Sequence, residues 1–159
     1  MKFLCPRHRT MFARLSLSEK NDLWLLWMEH AMTFNERQDS NKLIAITGSA
    51  FDLACMARRH DPDAMQVELT LAAILVGRAL RDTGDIASAD RVLFRALDSL
   101  GTTDAVLSSP SGRCNTDECL QVLLDVRRQP EFITRYLNWP CGAEHHVPRS
   151  FRQPSVAMH

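Results

Sequence analysis

The sequence predicts an all-α protein in which antiparallel helical hairpins, about six helices in total, stack into a short superhelix. Three observations predict this class. Apolar residues recur at three- and four-residue spacing along most of the chain. No segment alternates between apolar and polar residues for long enough to indicate a sheet. Helix start and stop signals, such as Ser16 with Glu19 and Gly84 with Asp85, separate the apolar segments.

Length and composition indicate one soluble domain, since the chain has 159 residues, of which 45% are hydrophobic and 24% charged. We divide it into a basic N-terminal tail (1–15), a helical-repeat domain (16–138) and an irregular C-terminal tail (139–159). The N-terminal tail has no acid before residue 15 and is interpreted as a solvated terminus. The C-terminal tail contains Pro148 and Pro154 and little periodicity.

The first two helices are predicted over residues 16–34 and 41–59. Ser16 and Glu19 have the spacing of a capping box, in which each side chain satisfies a free backbone N–H group of the other. The apolar face that follows is broad and includes Trp24 and Trp27. Gly48 interrupts the second helix, where it either lets another helix come close or introduces a bend.

Four further helices follow from the turn signals. Asp61-Pro62 predicts the start of a third helix, over residues 63–83, because Asp caps a helix and Pro fits its first position. Gly84 ends that helix and Asp85 caps a fourth, over residues 86–100. A Ser-, Thr- and Gly-rich loop leads to a fifth helix at 117–128, and Pro130 starts a short sixth.

The most patterned stretch, residues 76–97, sets small residues among larger apolar ones. The Gly84-Asp85 turn lies between two helices, and we expect their backbones to approach closely at Gly77 and Ala89. The stretch resembles a tetratricopeptide repeat, a helix–turn–helix unit of about 34 residues that stacks into superhelical scaffolds. The resemblance covers residues 70–101, and its matching positions are Gly77, Leu80, Gly84, Ala89, Leu93 and Ala96.

The resemblance implies a concave groove lined by the first helix of each unit, here by Leu71, Ile74, Arg78 and Arg81. The two arginines lie three residues apart and hence on one helix face, where they can hold a carboxylate. Trp24 and Trp27 offer a second apolar surface. We therefore expect a small cytoplasmic protein–protein interaction module, an adaptor or chaperone that binds a protein or peptide segment. Its wide apolar face at residues 23–32 also suits a homodimer.

Charge and motifs argue against other classes. Nineteen basic and nineteen acidic residues cancel, which disfavours nucleic acid as a partner. No apolar run approaches the roughly 18 residues of a membrane span, and no signal-peptide core is present. No phosphate loop, nucleophile elbow or zinc-protease motif occurs, so we expect neither an enzyme nor a cofactor.

One alternative uses the chain termini. Cys5 and His8, together with Cys141 and His145, have residue types that bind zinc and could join the two ends of the chain. The basic first residues would then contact nucleic acid in a zinc-stabilised regulatory module. A steep salt dependence of nucleic-acid binding distinguishes this module from the adaptor.

Overall fold

The computed structural model describes residues 1–101 and 115–137, and within these ranges it contains seven α-helices and no strand. The all-α prediction is therefore confirmed, with one helix more than expected. The helices are α1 (Pro6–Ala13), α2 (Leu17–Glu36), α3 (Ser40–His60), α4 (Gln66–Asp82), α5 (Ile86–Gly101), α6 (Thr116–Leu124) and α7 (Gln129–Leu137). A single 3₁₀ turn, Val126–Arg128, precedes α7.

The helices pack in chain order. Helix α3 contacts α2 on one side and α4 on the other, and α4 also contacts α5, α6 and α7. The connections α2–α3 and α4–α5 are three residues long, so these neighbours run antiparallel. Helices α3 and α4 are the central elements, and continuous buried runs at residues 50–58 and 69–77 reflect neighbours on more than one side.

The turn between α4 and α5 forms as predicted. Gly84 has a φ of +86°, which favours glycine. The N–H groups of Gly84 and Asp85 donate to the carbonyls of Arg81 and Leu80, both at 2.9 Å, and so close the end of α4. Asp85 then caps α5, because its Oδ1 accepts from the Ser88 N–H at 3.1 Å. Hydrogen bonds from Ser88 lower the pKa of the Asp85 carboxyl.

Two helix boundaries differ from the prediction. Helix α4 begins at Gln66 and not at residue 63, because Asp61 forms a local turn in which its Oδ1 accepts from the Asp63 N–H at 3.0 Å. Met65 then adopts a left-handed φ of 52°. Helix α6 ends at Leu124, since Asp125 is extended and its carboxylate accepts from the Arg127 N–H.

The predicted close approach at Gly77 is wrong. Among the described residues, a Cβ built at Gly77 would have only the side chain of Arg81 as a neighbour within 4 Å, at an ordinary 3.8 Å. Gly77 lies instead beside a cavity of about 170 Å³, whose lining also includes Ile74, Ala89 and Leu93. Leu123, Val126 and Gln129 line the same cavity, so it lies between α4, α5 and the C-terminal helices.

Candidate binding site around the first helix

The N-terminal region is a docked helix, which corrects the interpretation of residues 1–15 as a solvated tail. Pro6 occupies the first turn of α1, where its missing N–H has no cost. The buried Lys20 of α2 closes the other end, since its Nζ donates to the carbonyls of Leu15 at 2.5 Å and Ala13 at 3.5 Å. These bonds satisfy carbonyls that a helix end leaves without partners.

A buried carboxylate holds the N-terminal segment (residues 1–4) on α3. Oδ2 of Asp52 accepts from the backbone N–H groups of Phe3 at 2.5 Å and Leu4 at 2.8 Å. Arg95 of α5 forms an ion pair with the same carboxylate at 2.9 Å and donates to the Met1 carbonyl at 2.7 Å. Asp52 is only 3% exposed, so these charge-assisted contacts are shielded from water.

Gly48 lets the Phe3 ring lie directly on the backbone of α3. A Cβ built at Gly48 would be 2.7 Å from Phe3 Cε1 and still closer to Cδ1 and Cγ, distances that real Cβ atoms do not show. Gly48 was expected either to let another helix come close or to bend α3. The approaching group is an aromatic ring of the N-terminal segment, however, and not another helix.

Docking of α1 creates an apolar groove between α1, α2 and α3, with a volume of about 370 Å³. Aromatic side chains from α1 and α2 meet along it: the Phe12 and Trp27 rings pack edge to face with centroids 5.5 Å apart, and His8 stacks on Phe12 at 5.7 Å. The groove is lined by Leu4, His8, Phe12, Trp27, Phe34, Lys42, Ala45, Ile46 and Ser49.

The polar groups of the apolar groove lie on α1 and α3. Lys42 Nζ lies 5.7 Å from the centroid of the Phe34 ring and 3.2 Å from Asp39 Oδ2. The backbone N–H of Lys42 also donates to Asp39, and this hydrogen bond lowers the pKa of that carboxyl. Ser49 Oγ donates to the Ala45 carbonyl at 2.7 Å and can still accept a bond. His8 and Lys42 are therefore the groove's ionisable side chains.

Most of the apolar residues that were predicted to form a binding surface lie in the core. Leu71 and Ile74 are 1% and 3% exposed, and Trp24 of α2 is 2% exposed, so these three side chains are not available to a partner. Leu71 is covered because α4 has packed neighbours on several sides. Arg81 is exposed but forms an ion pair with Asp90 at 3.5 Å, while Arg78 is half-buried.

Trp27 lies in the candidate site, since it is half-buried and lines the apolar groove. The structure does not bring it together with Arg78 or Arg81, which belong to α4. Sequence reasoning missed Phe12 and Ala45, and it named His8 only as a candidate zinc ligand. The usable signal was local: Pro6 marks a helix start, and His8 and Phe12 follow four residues apart and hence on one helix face.

The proposed zinc ligands are divided between described and undescribed residues. Cys5 Sγ lies 3.2 Å from His8 Nδ1, on the exposed start of α1, whereas Cys141 and His145 lie outside the described residues. Within the ranges 1–101 and 115–137, no three His, Cys, Asp or Glu side chains gather closely enough to hold a metal ion. Cys55 is buried, and burial raises the pKa of its thiol to about 11.

Comparison with protein-family models, with curated proteins and with solved structures found no match for this chain. The tetratricopeptide-repeat resemblance therefore stays a prediction. No helix in the described part of the chain combines the length and apolar character that crossing a membrane requires.

Proposed function

We propose that the protein is an interaction module that binds a peptide segment of a partner protein in the apolar groove between α1, α2 and α3. The observation that carries this proposal is the partly exposed aromatic lining of the groove. Phe12, Trp27 and Phe34 come from two helices, and each keeps part of its ring accessible. Aromatic side chains in a concave site supply large apolar contact areas to a ligand.

Charge around the apolar groove indicates the chemistry of the partner. The first 14 residues contain Lys2, Arg7, Arg9 and Arg14 and no acid. Lys42 and His8 add positive or protonatable groups within the groove. A segment that presents two or three apolar side chains with acidic residues beside them would complement this surface. An amphipathic acidic helix is the occupant we propose.

The proposal keeps the adaptor or chaperone role expected from the sequence and moves its site from α4 to α1. A partner at the original position would have to displace core residues, because Leu71 and Ile74 are buried. At the apolar groove a partner buries side chains that are already partly exposed. Binding there needs no opening of the α3–α4 core.

The experiment uses two alanines that are both exposed on helices. Ala45 lines the apolar groove on α3, whereas Ala87 lies on α5 and is not among the residues that line the groove. Peptides of random sequence are selected for binding to the full chain, and their Kd is measured by fluorescence anisotropy with the wild type, Ala45→Glu and Ala87→Glu. A carboxylate at position 45 places charge in the groove and repels acidic peptides. We expect Ala45→Glu to bind at least about tenfold more weakly, a loss near 1.4 kcal/mol.

The selected peptides should combine Leu, Phe, Met or Trp with Asp or Glu, and Ala87→Glu should bind them like the wild type. The proposal is wrong if Ala45→Glu retains wild-type affinity while melting at the wild-type temperature. It is also wrong if selection yields only basic peptides or no saturable binder.

A further inference from the structure

The face of α1 that points away from the apolar groove borders a second cavity, of about 380 Å³, which we call the basic cavity. Helix α1 contributes Pro6, Arg9, Thr10 and Ala13, which recur at three- and four-residue spacing on one face. The last turns of α3 contribute Met56, Arg59 and His60. His8 and Phe12, which line the apolar groove, lie on the opposite side of the α1 axis.

The cationic side chains of the basic cavity converge without a carboxylate between them. The guanidinium groups of Arg9 and Arg59 and the imidazole of His60 line it, and no Asp or Glu is among the described residues of the lining. In the described part of the chain none of the three forms an ion pair within 4.0 Å. Positive groups from two helices thus face one space, and an anion entering it would reduce their mutual repulsion.

The basic residues at the end of α3 do not all face the basic cavity, as the neighbouring arginine shows. Arg58 is 4% exposed and turns into the protein, where it donates to the Ala64 carbonyl at 3.0 Å and the Ser99 carbonyl at 3.2 Å. Burial lowers the pKa of its guanidinium. Arg58 therefore has structural acceptors, whereas Arg59 is exposed at the basic cavity.

Arg9 provides an independent indication of a missing acceptor. Its Nε is buried and has no hydrogen-bond partner among the residues that the structure describes. A buried donor of a charged group that is left unsatisfied lowers stability, and native proteins rarely tolerate it without an ion, a ligand or water. An oxyanion held by this guanidinium would supply the acceptor.

We propose that the basic cavity binds a small-molecule phosphate monoester. Guanidinium groups bind phosphate oxygens through paired N–H donors, and two arginines with His60 match the three terminal oxygens of such a group. The cavity is larger than a phosphate group needs, and its volume lies within the range of about 300–1,000 Å³ found for ligand pockets. Met56, Ala13 and Pro6 offer apolar surface for the organic part of the ligand. This site is separate from the apolar groove and does not depend on the proposed peptide binding.

The test uses phenyl phosphate as the probe and the full chain labelled with ¹⁵N. The Nε–Hε NMR signal of Arg9 is followed during titration of the wild type, Arg59→Gln and Arg7→Gln. Arg7 is the matched control, since it is an exposed arginine on the same helix that does not line the basic cavity. We expect saturable binding by the wild type, binding about tenfold weaker in Arg59→Gln, and nearly unchanged binding in Arg7→Gln.

Three further probes separate the sources of the phosphate and the nature of the anion. Inorganic phosphate should bind more weakly than phenyl phosphate if the apolar lining contributes, and benzoate should bind more weakly than either. A phosphoserine peptide that binds more tightly than phenyl phosphate would overturn the small-molecule assignment. Equal losses in Arg7→Gln and Arg59→Gln, equal binding of benzoate, or no saturation by about 10 mM phenyl phosphate would overturn the site itself.

Discussion

The carboxylate of Asp52 offers the most informative perturbation, because it joins the N-terminal segment to two helices. Asp52→Ala removes the acceptor for the Phe3 and Leu4 N–H groups and the ion-pair partner of Arg95. The position of α1, and hence both cavities that α1 lines, depends on this attachment.

The expected loss in the free energy of unfolding follows from the two hydrogen bonds to backbone N–H groups and from the ion pair. A hydrogen bond to a charged group contributes about 1.5–3 kcal/mol, so two of them give about 3–6 kcal/mol. Breaking a buried ion pair costs about 3–5 kcal/mol, and Arg95, which is 26% exposed, recovers part of this by hydration. The N-terminal segment can also detach and rehydrate its N–H groups. We therefore expect Asp52→Ala to lower the free energy of unfolding by about 3 kcal/mol.

Urea unfolding followed by far-UV circular dichroism measures this loss, with Asp22→Ala as the control. Asp22 is an exposed aspartate on α2, and its substitution should change the free energy of unfolding by less than about 0.5 kcal/mol. Hydrogen exchange of the Phe3 and Leu4 amides supplies a second readout, and both should exchange much faster in Asp52→Ala. A loss below about 1 kcal/mol with unchanged protection of both amides would refute the reasoning.

Three further predictions follow from local geometry. Gly48→Ala should lower the free energy of unfolding, measured in urea, by about 1–3 kcal/mol, because the added Cβ would overlap the Phe3 ring. An unchanged free energy of unfolding would show that the ring does not lie there. Gly77→Ala should instead stabilise the protein by about 1 kcal/mol, because alanine favours a helix and the added Cβ makes only an ordinary contact. A loss of stability would mean that α5 lies closer than described. At pH 8 the Cys55 thiol stays protonated, since burial raises its pKa to about 11. Peptide mass mapping after brief alkylation should therefore find Cys5 modified and Cys55 unmodified until urea is added. Early modification of Cys55 would contradict its burial.

The elements that sequence reasoning predicted well are those whose signals lie within a few residues of each other. The capping box at Ser16 and Glu19 forms, with bonds of 2.7 and 3.1 Å between the two residues. The glycine turn at Gly84 forms because a left-handed residue followed by a capping Asp is sufficient to end one helix and start the next. Such local chemistry does not depend on the rest of the fold.

Helix α1 was missed because its stability comes from distant residues. Eight residues are too few for a stable isolated helix, and no residue of α1 itself is buried. Its position depends on contacts of Phe3 with Asp52 and Gly48, which lie more than 40 residues beyond Phe3 in the chain. Nothing within residues 1–15 alone signals these partners.

Two residues of the site predicted on α4, Leu71 and Ile74, are buried for a related reason. A helical repeat leaves one face of its first helix open, and Leu71 and Ile74 were placed on that face by the resemblance. Here α4 contacts α3, α5, α6 and α7, so that face is covered. Which helix of a stack remains partly uncovered depends on the packing of all its neighbours. The spacing of apolar residues within one helix does not determine it.

Contact between the Phe3 ring and Gly48 is the most direct test of the central claim, that the N-terminal segment docks on α3 and thereby forms both cavities. In ¹H NMR of the full chain, the account predicts strong nuclear Overhauser effects between the Phe3 ring protons and the Gly48 Hα protons. It also predicts a ring-current shift of one Gly48 Hα signal that disappears in Phe3→Leu. A Gly48 Hα signal that shows neither the Overhauser effects nor a change in Phe3→Leu would contradict the claim.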